Sequence, residues 1–183
     1  YKRQVYESSL GDPPRILPTS LTGASLLTNA SSDLSMAAEI KREIQTSDGV
    51  DLLCAFIKNS GIAVIRDQLE YLREHGIPFR VITSTYCGAT DIQAINRLVD
   101  EFGAEVKVGY ESRDTRLHAK AWLFKRNSGF DTAYIGSSNL SNSALIDGVE
   151  WNVRASRVST PEILAKFEAV FETYWNDKHY SIY

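Results

Sequence analysis

Apolar residues recur at two periods along this chain, and the switches between them outline its elements. Over 34–46, Leu34, Ala37, Ile40 and Ile44 fall at helical intervals. Ser47-Asp48-Gly49 closes that helix. The short apolar run Val50–Ile57, bounded by turn residues, predicts a buried strand. A second helical stripe, Ile62, Ile65, Leu69 and Leu72, runs over 61–75 and stops at His75-Gly76. Phe79–Thr83 reads as a strand, Asp91–Phe102 as a helix with Asp91 at its N-cap, and Glu105–Tyr110 as a third strand. Strands alternating with helices of this length predict parallel βαβ units.

Beyond 116 the pattern changes. Leu117–Lys125 and Asp131–Ile135 both read as strands, and Arg126-Asn127-Ser128-Gly129 joins them as a hairpin turn. Glu150–Ala155 reads as a further strand. Ser159-Thr160-Pro161-Glu162 opens a last helix with a hydroxyl cap, Pro in the first turn and Glu at the positive end of the dipole. Ile163, Leu164, Phe167, Val170, Phe171 and Tyr174 form its expected buried stripe. Residues 1–32 read instead as an irregular lead-in, because Gly11, Asp12, Pro13, Pro14 and Pro18 break any period, although a few Leu in it can dock on the core. The expected architecture is one α/β domain over 33–183, a mixed β-sheet sandwiched by helices.

Composition narrows the classes. A chain of 183 residues can bury a sizeable core, and 43% hydrophobic with 23% charged residues argues against disorder. No apolar run approaches the ~20 residues of a membrane span, and no signal pattern opens the chain. No membrane partner is therefore expected. Cys54 and Cys87 lie far apart and outside any C-x-x-C pair, which predicts two free thiols and a cytoplasmic setting. Three His and two Cys in scattered positions predict no zinc site and no cofactor. The chain opens with Tyr rather than Met, as expected of a trimmed chain or a fragment of a larger polypeptide. A net charge of −3 weighs against a broad nucleic-acid face, yet Arg113, Arg116, Lys120, Lys125 and Arg126 lie within fourteen residues. That run is either a local basic face or a solvated strand edge.

Three short pieces carry candidate chemistry: Leu117-His118-Ala119-Lys120, Gly136-Ser137-Ser138-Asn139, and Glu150. In a strand, side chains two apart share a face, so His118 and Lys120 project together. An imidazole can serve as nucleophile, and an ammonium beside it can hold an anion. Gly136 admits close backbone approach, Ser137 offers a hydroxyl and Asn139 an amide. Each piece alone also reads as ordinary structure, a strand edge or a capped turn.

In order, His118-x-Lys120, a hairpin, then Gly136-Ser137-x-Asn139 resembles the H-x-K…G-S-x-N motif of the phospholipase D superfamily. The resemblance covers about 33–176. It implies a phospholipase D-like fold and phosphodiester chemistry without a metal. The catalytic residues it implies are His118, Lys120, Asn139, Glu150 and Ser137, with Glu150 set where many members carry an acid bonded to the catalytic His; pairing of Glu150 with Arg154 or Lys120 is the alternative. Single-motif members build their site across a two-fold, which implies a homodimer with a shared active site. Lys125 departs from the motif, which has Asp seven residues after the His, and this departure weakens the lipid-enzyme reading more than the nuclease reading.

Lys58, Ser84 and Tyr86 follow predicted strands and are candidate groove residues, since ligands in open α/β sheets bind beyond the strands' carboxyl ends. Arg113 and Arg116 are candidate phosphate contacts. The expected partner is nucleic acid, DNA before RNA, from likeness to the phospholipase D-like domains at the start of helicase-type and restriction proteins. The alternatives are a non-catalytic nucleic-acid-binding module and a phospholipid hydrolase or phosphatidyltransferase.

Overall fold

The computed structural model describes residues 20–29, 34–85, 88–110 and 117–183; Tyr86, Cys87, Arg113 and Arg116 lie outside the described residues. In chain order the elements are β1 (Ser25–Leu27), α1 (Met36–Ile44), β2 (Gly49–Cys54), α2 (Asn59–Val64), α3 (Arg66–Glu74), β3 (Phe79–Ser84), α4 (Ile92–Asp100), β4 (Glu105–Gly109), β5 (Lys120–Lys125), β6 (Thr132–Gly136), α5 (Asn142–Ile146), β7 (Asn152–Ser156), α6 (Pro161–Trp175) and β8 (Tyr180–Ile182).

The strands form one sheet in the order β1-β7-β6-β5-β2-β3-β4-β8. β2, β3 and β4 are parallel, as helices crossing between consecutive strands require. β5 returns antiparallel to β2, and β5–β6–β7–β1 continue antiparallel. The sheet is mixed and carries helices on both faces, but unequally. On one face, side chains of α1 to α5 pack with Val50, Leu52, Val81, Trp122, Phe124 and Tyr134 in the main core. On the other, α6 alone packs on Leu53, Ile82, Leu123, Ala133 and Ala155. No helix among the described residues is long and apolar enough to cross a membrane.

Four local readings change. Within the stretch read as irregular lead-in, Ser25–Leu27 pairs antiparallel with Asn152–Arg154 and buries Leu27; a three-residue edge strand is stabilised by its distant partner and has no period of its own. The helix read over 61–75 is two helices, because Ile65 leaves the helical region at φ −116°, ψ 22°. Asp91 stands at the N-cap of α4 without capping it; its carboxylate accepts from the Asn59 amide at 3.0 Å and from Lys58 at 3.2 Å. The α6 stripe is only partly covered: Leu164 and Phe171 are buried, whereas Ile163 is exposed.

The basic run does not form a face among its described members. Arg126 is buried and donates to Glu43, Thr46, Thr132 and the Phe130 carbonyl. Lys125 pairs with Asp51, whose carboxylate also takes a bidentate pair of 2.8 Å bonds from Arg80. Lys125 closes β5 five residues beyond Lys120, roughly 17 Å along an extended strand. Its charge belongs to this far-end cluster.

Candidate active site

The register of three strand pairs assembles the site. Lys120 stands opposite Cys54, Ala121 opposite Ile135, and Gly136 opposite Asn152. The start of β5, the ends of β2 and β6 and the start of β7 therefore meet at one edge of the sheet. Here the hairpin brings His118 and Lys120 beside the 136–139 turn.

His118 lies just ahead of β5 and is exposed, while Leu117 before it and Lys120 after it are buried. Although His118 falls outside the strand, the two side chains meet. Lys120 Nζ lies 3.0 Å from His118 Nδ1 and 3.1 Å from Nε2, and donates to the His118 carbonyl at 2.8 Å. An ammonium can only donate, so it meets the ring through a lone pair. Below Lys120 on the same sheet face, Trp122 stacks on Phe124 at 5.8 Å and on Phe79 at 6.1 Å, giving the lysine a rigid floor. Burial pulls the Lys120 ammonium below its ordinary 10.5, and the negative charge of Glu150 pulls the other way.

The 136–139 turn needs its glycine. A Cβ on Gly136 would stand 2.1 Å from the Trp151 carbonyl oxygen, closer than any real contact. Asn139 is buried, with Oδ1 accepting from the Phe56 amide at 3.2 Å. Cys54 braces the same point: its sulfur accepts from Leu140 N at 3.3 Å and lies 3.6 Å from Asn139 Oδ1. Burial pushes this free thiol up to about 11, so it stays neutral. Gly61 completes the brace, since a Cβ there would stand 2.4 Å from the Leu140 carbonyl, and its absence lets α2 abut the turn.

Ser137 and Glu150 form a second pair on the rim. The Ser137 hydroxyl donates to Glu150 Oε2, and Ser137 Oγ accepts from the Trp151 amide at 3.0 Å. Glu150 is thus hydrogen-bonded to Ser137, and its charge also reaches Lys120, one of the two alternative partners. Arg154, the other alternative weighed from sequence, is fully buried on Glu43 at 3.0 Å. Of the groove candidates, Lys58 is half-buried and paired with Asp91. Ser84 is buried and donates to the Ala55 carbonyl at 2.9 Å, which braces the chain leaving β2. Tyr86, Arg113 and Arg116 fall outside the described residues. Sequence reasoning missed Cys54 and Phe56, which hold Asn139; only the register of β2 against β5 puts them there. Among the described residues, no three His, Cys, Asp or Glu side chains gather as a metal site.

A family model described as cardiolipin synthase, PLD-like domain, matches residues 35–175. No curated protein sequence matches the chain. Solved structures share its fold at low identity. The phospholipase D family member Nuc from Salmonella typhimurium superposes with a TM-score of 0.64 at 14% identity, over 88% of this chain and 97% of its own. NucT from Helicobacter pylori gives 0.61 at 13% identity, over 82% and 94%. Phosphatidylserine synthase from Haemophilus influenzae gives 0.61 at 13% identity, over 87% of this chain and 40% of its own. The fold thus spans differently named proteins and does not choose a substrate.

Proposed function

The chain belongs to the phospholipase D-like domain family, and from that premise we propose that it is a metal-independent phosphodiesterase acting on nucleic acid, DNA before RNA, as a homodimer. In this reading it is the endonuclease module of a larger helicase-type or restriction protein. The observation that carries the chemistry is the contact of Lys120 with His118 beside the Asn139 turn. It supports a reading in which His118 is the nucleophile, Lys120 a buried cation and Asn139 an amide donor.

The chain has one His-x-Lys pair, so two copies supply the two imidazoles the reaction uses. One His118 ring nitrogen attacks phosphorus; the N–P bond forms as the P–O bond to the departing strand breaks. The His118 of the second copy gives its proton to that oxygen. It then takes a proton from water, whose oxygen attacks phosphorus and breaks the N–P bond. The two rings begin in different protonation states, as coupled groups in one site do. Lys120 and the Asn139 amide hydrogens stabilise the non-bridging oxygens as charge grows on them. Ser137 and Glu150 stand beside them as a hydrogen-bonded pair, with Glu150 orienting the imidazole.

Labelled DNA incubated with the full chain in excess chelator tests this. Fragments are expected from the wild type and none from His118→Ala. Activity lost on chelation and restored by magnesium overturns the mechanism. One observation favours a second reading, a phospholipid hydrolase or phosphatidyltransferase: an apolar groove of about 390 Å³ opens beside Ala119. Phosphatidylcholine hydrolysed in place of DNA would decide for it.

A further inference from the structure

Trp151 is a large aromatic side chain left open beside the candidate site. It directly follows Glu150 and is 62% exposed. Its backbone is clamped to the turn that ends in Asn139. The Trp151 carbonyl accepts from the Ser137 amide at 3.1 Å, and the Trp151 amide donates to Ser137 Oγ at 3.0 Å. The loop leading to it is anchored too. Asn29 Nδ2 donates to the Ala144 carbonyl at 2.9 Å and to the Gly148 carbonyl at 3.3 Å. A Cβ on Gly148 would stand 2.6 Å from the Ser143 carbonyl oxygen, so this tight approach needs the glycine. The ring thus stands on a fixed backbone, and a ligand that covers it has little ordering to offset. Ile146 and Val149, both exposed, extend the apolar surface away from Glu150.

We propose that Trp151 is a stacking platform for a base next to the cleaved phosphate, and that the nucleic acid taken here is single-stranded. The inference rests on the nuclease reading above for its ligand. A duplex keeps its base faces stacked on one another and presents phosphates and groove edges. A single strand also presents open π-faces, and every base has one. Charge favours the single strand as well. Among the described residues near this edge, Lys58 is tied to Asp91 and Lys120 is buried. Lys166, at the groove beside Ala119, has Glu162 one helical turn away. Asp147 and Glu150 add negative charge on either side of Val149, and the whole chain carries −3. So little unopposed positive charge grips a duplex backbone weakly, whereas stacking adds affinity that charge need not supply. The same two carboxylates oppose an anionic bilayer, which exposed Ile146, Val149 and Trp151 would otherwise suit. In a two-copy site each copy brings its own Trp151, so a base on either side of the cleaved phosphate has a platform.

Binding of a short labelled DNA single strand, and of its duplex, to the full chain tests this by anisotropy and tryptophan fluorescence. His118→Ala is the parent, so that no cleavage intrudes. Trp151→Ala and Trp151→Phe are compared in it with Phe130→Ala, an exposed aromatic on the β5–β6 hairpin at the sheet's other end. The single strand is expected to bind more tightly than its duplex and to quench tryptophan emission. Trp151→Ala should raise its dissociation constant about tenfold and remove most of the quench, Trp151→Phe should stay within about threefold, and Phe130→Ala should match the parent. A duplex bound as tightly as the single strand, or Trp151→Ala binding like the parent, overturns the inference; cleavage by the wild type then leaves the nuclease reading standing. Strand binding that depends on Trp151, in a wild type that cleaves no nucleic acid, upholds the platform and sinks the nuclease reading. Two further results overturn the inference. One is Trp151→Ala sedimenting as a monomer where the parent is a dimer, which assigns the ring to the contact between copies. The other is emission shifted to the blue by phosphatidylglycerol vesicles and unquenched by the strand, which assigns it to lipid.

Discussion

Asn139 turns its amide oxygen inward onto the Phe56 backbone amide, 3.2 Å away. A backbone N–H can only donate, so the atom facing it is the oxygen, and the donating NH2 group is turned away from that amide. Asn139→Asp keeps the inward bond and replaces the outward donor with a second acceptor. Cleavage is expected to fall by about 10²–10³ in kcat, the usual cost of losing an oxyanion donor, while the urea midpoint stays close to wild type. An unchanged kcat would remove Asn139 from the phosphate grip.

Lys120 is held below its ordinary 10.5 by burial, against the raising influence of the Glu150 carboxylate. Phosphate binding needs the charged form, so the alkaline limb of kcat/KM, which reports free-enzyme ionisation, is expected below pH 10.5. Glu150→Gln removes an anion that supports the charge and should move the limb to lower pH. Lys120→Arg stays charged throughout, and its residual activity should show no limb from this group. Stability follows the same sign. Between the folded value and 10.5 the unfolded chain binds more protons, so this group's contribution to stability rises with pH there.

Glu43 joins α1 to the hairpin and to β7. Its carboxylate is bonded to Arg126, Arg154, Thr132 and Tyr134, all buried. Burial pushes Glu43 up, but Arg154, the Thr132 hydroxyl and Arg126 together bring it below 4.5. Glu43→Ala strands two guanidiniums and should cost about 3–5 kcal/mol of unfolding free energy, read by denaturant titration. In the wild type this depressed carboxyl contributes stability above pH 4.5 that is lost as pH falls. A loss under 1 kcal/mol (roughly the worth of an exposed pair) would show the network to be dispensable.

What the sequence makes legible follows the range of the interactions concerned. The βαβ half and the β5–β6 hairpin are local patterns, and both are visible in periodicity and turn residues. The motif pieces converge because the hairpin register, Ala121 opposite Ile135, returns the Gly136 turn to the His118 end. Nonlocal features stay hidden. β1 exists through β7, more than a hundred residues away. No Gly or Pro marks the break at Ile65. Glu39 and Glu43 count as polar positions on α1, yet both are buried because Tyr134 and Arg154 arrive from distant strands. Asp91 obeys a capping rule by position and pairs elsewhere. For α6, periodicity identifies an apolar stripe but not what covers it, and Ile163, beside Ile135, is left exposed.

His118 is expected to form a bond to phosphorus during cleavage. Labelled DNA mixed with the full chain in excess chelator and quenched in alkali, where phosphohistidine survives, should leave label on the protein. Peptide mapping should place it at His118, and His118→Ala should carry none. DNA cleaved at full rate with no label on His118, or cleaved equally by His118→Ala, would contradict the account.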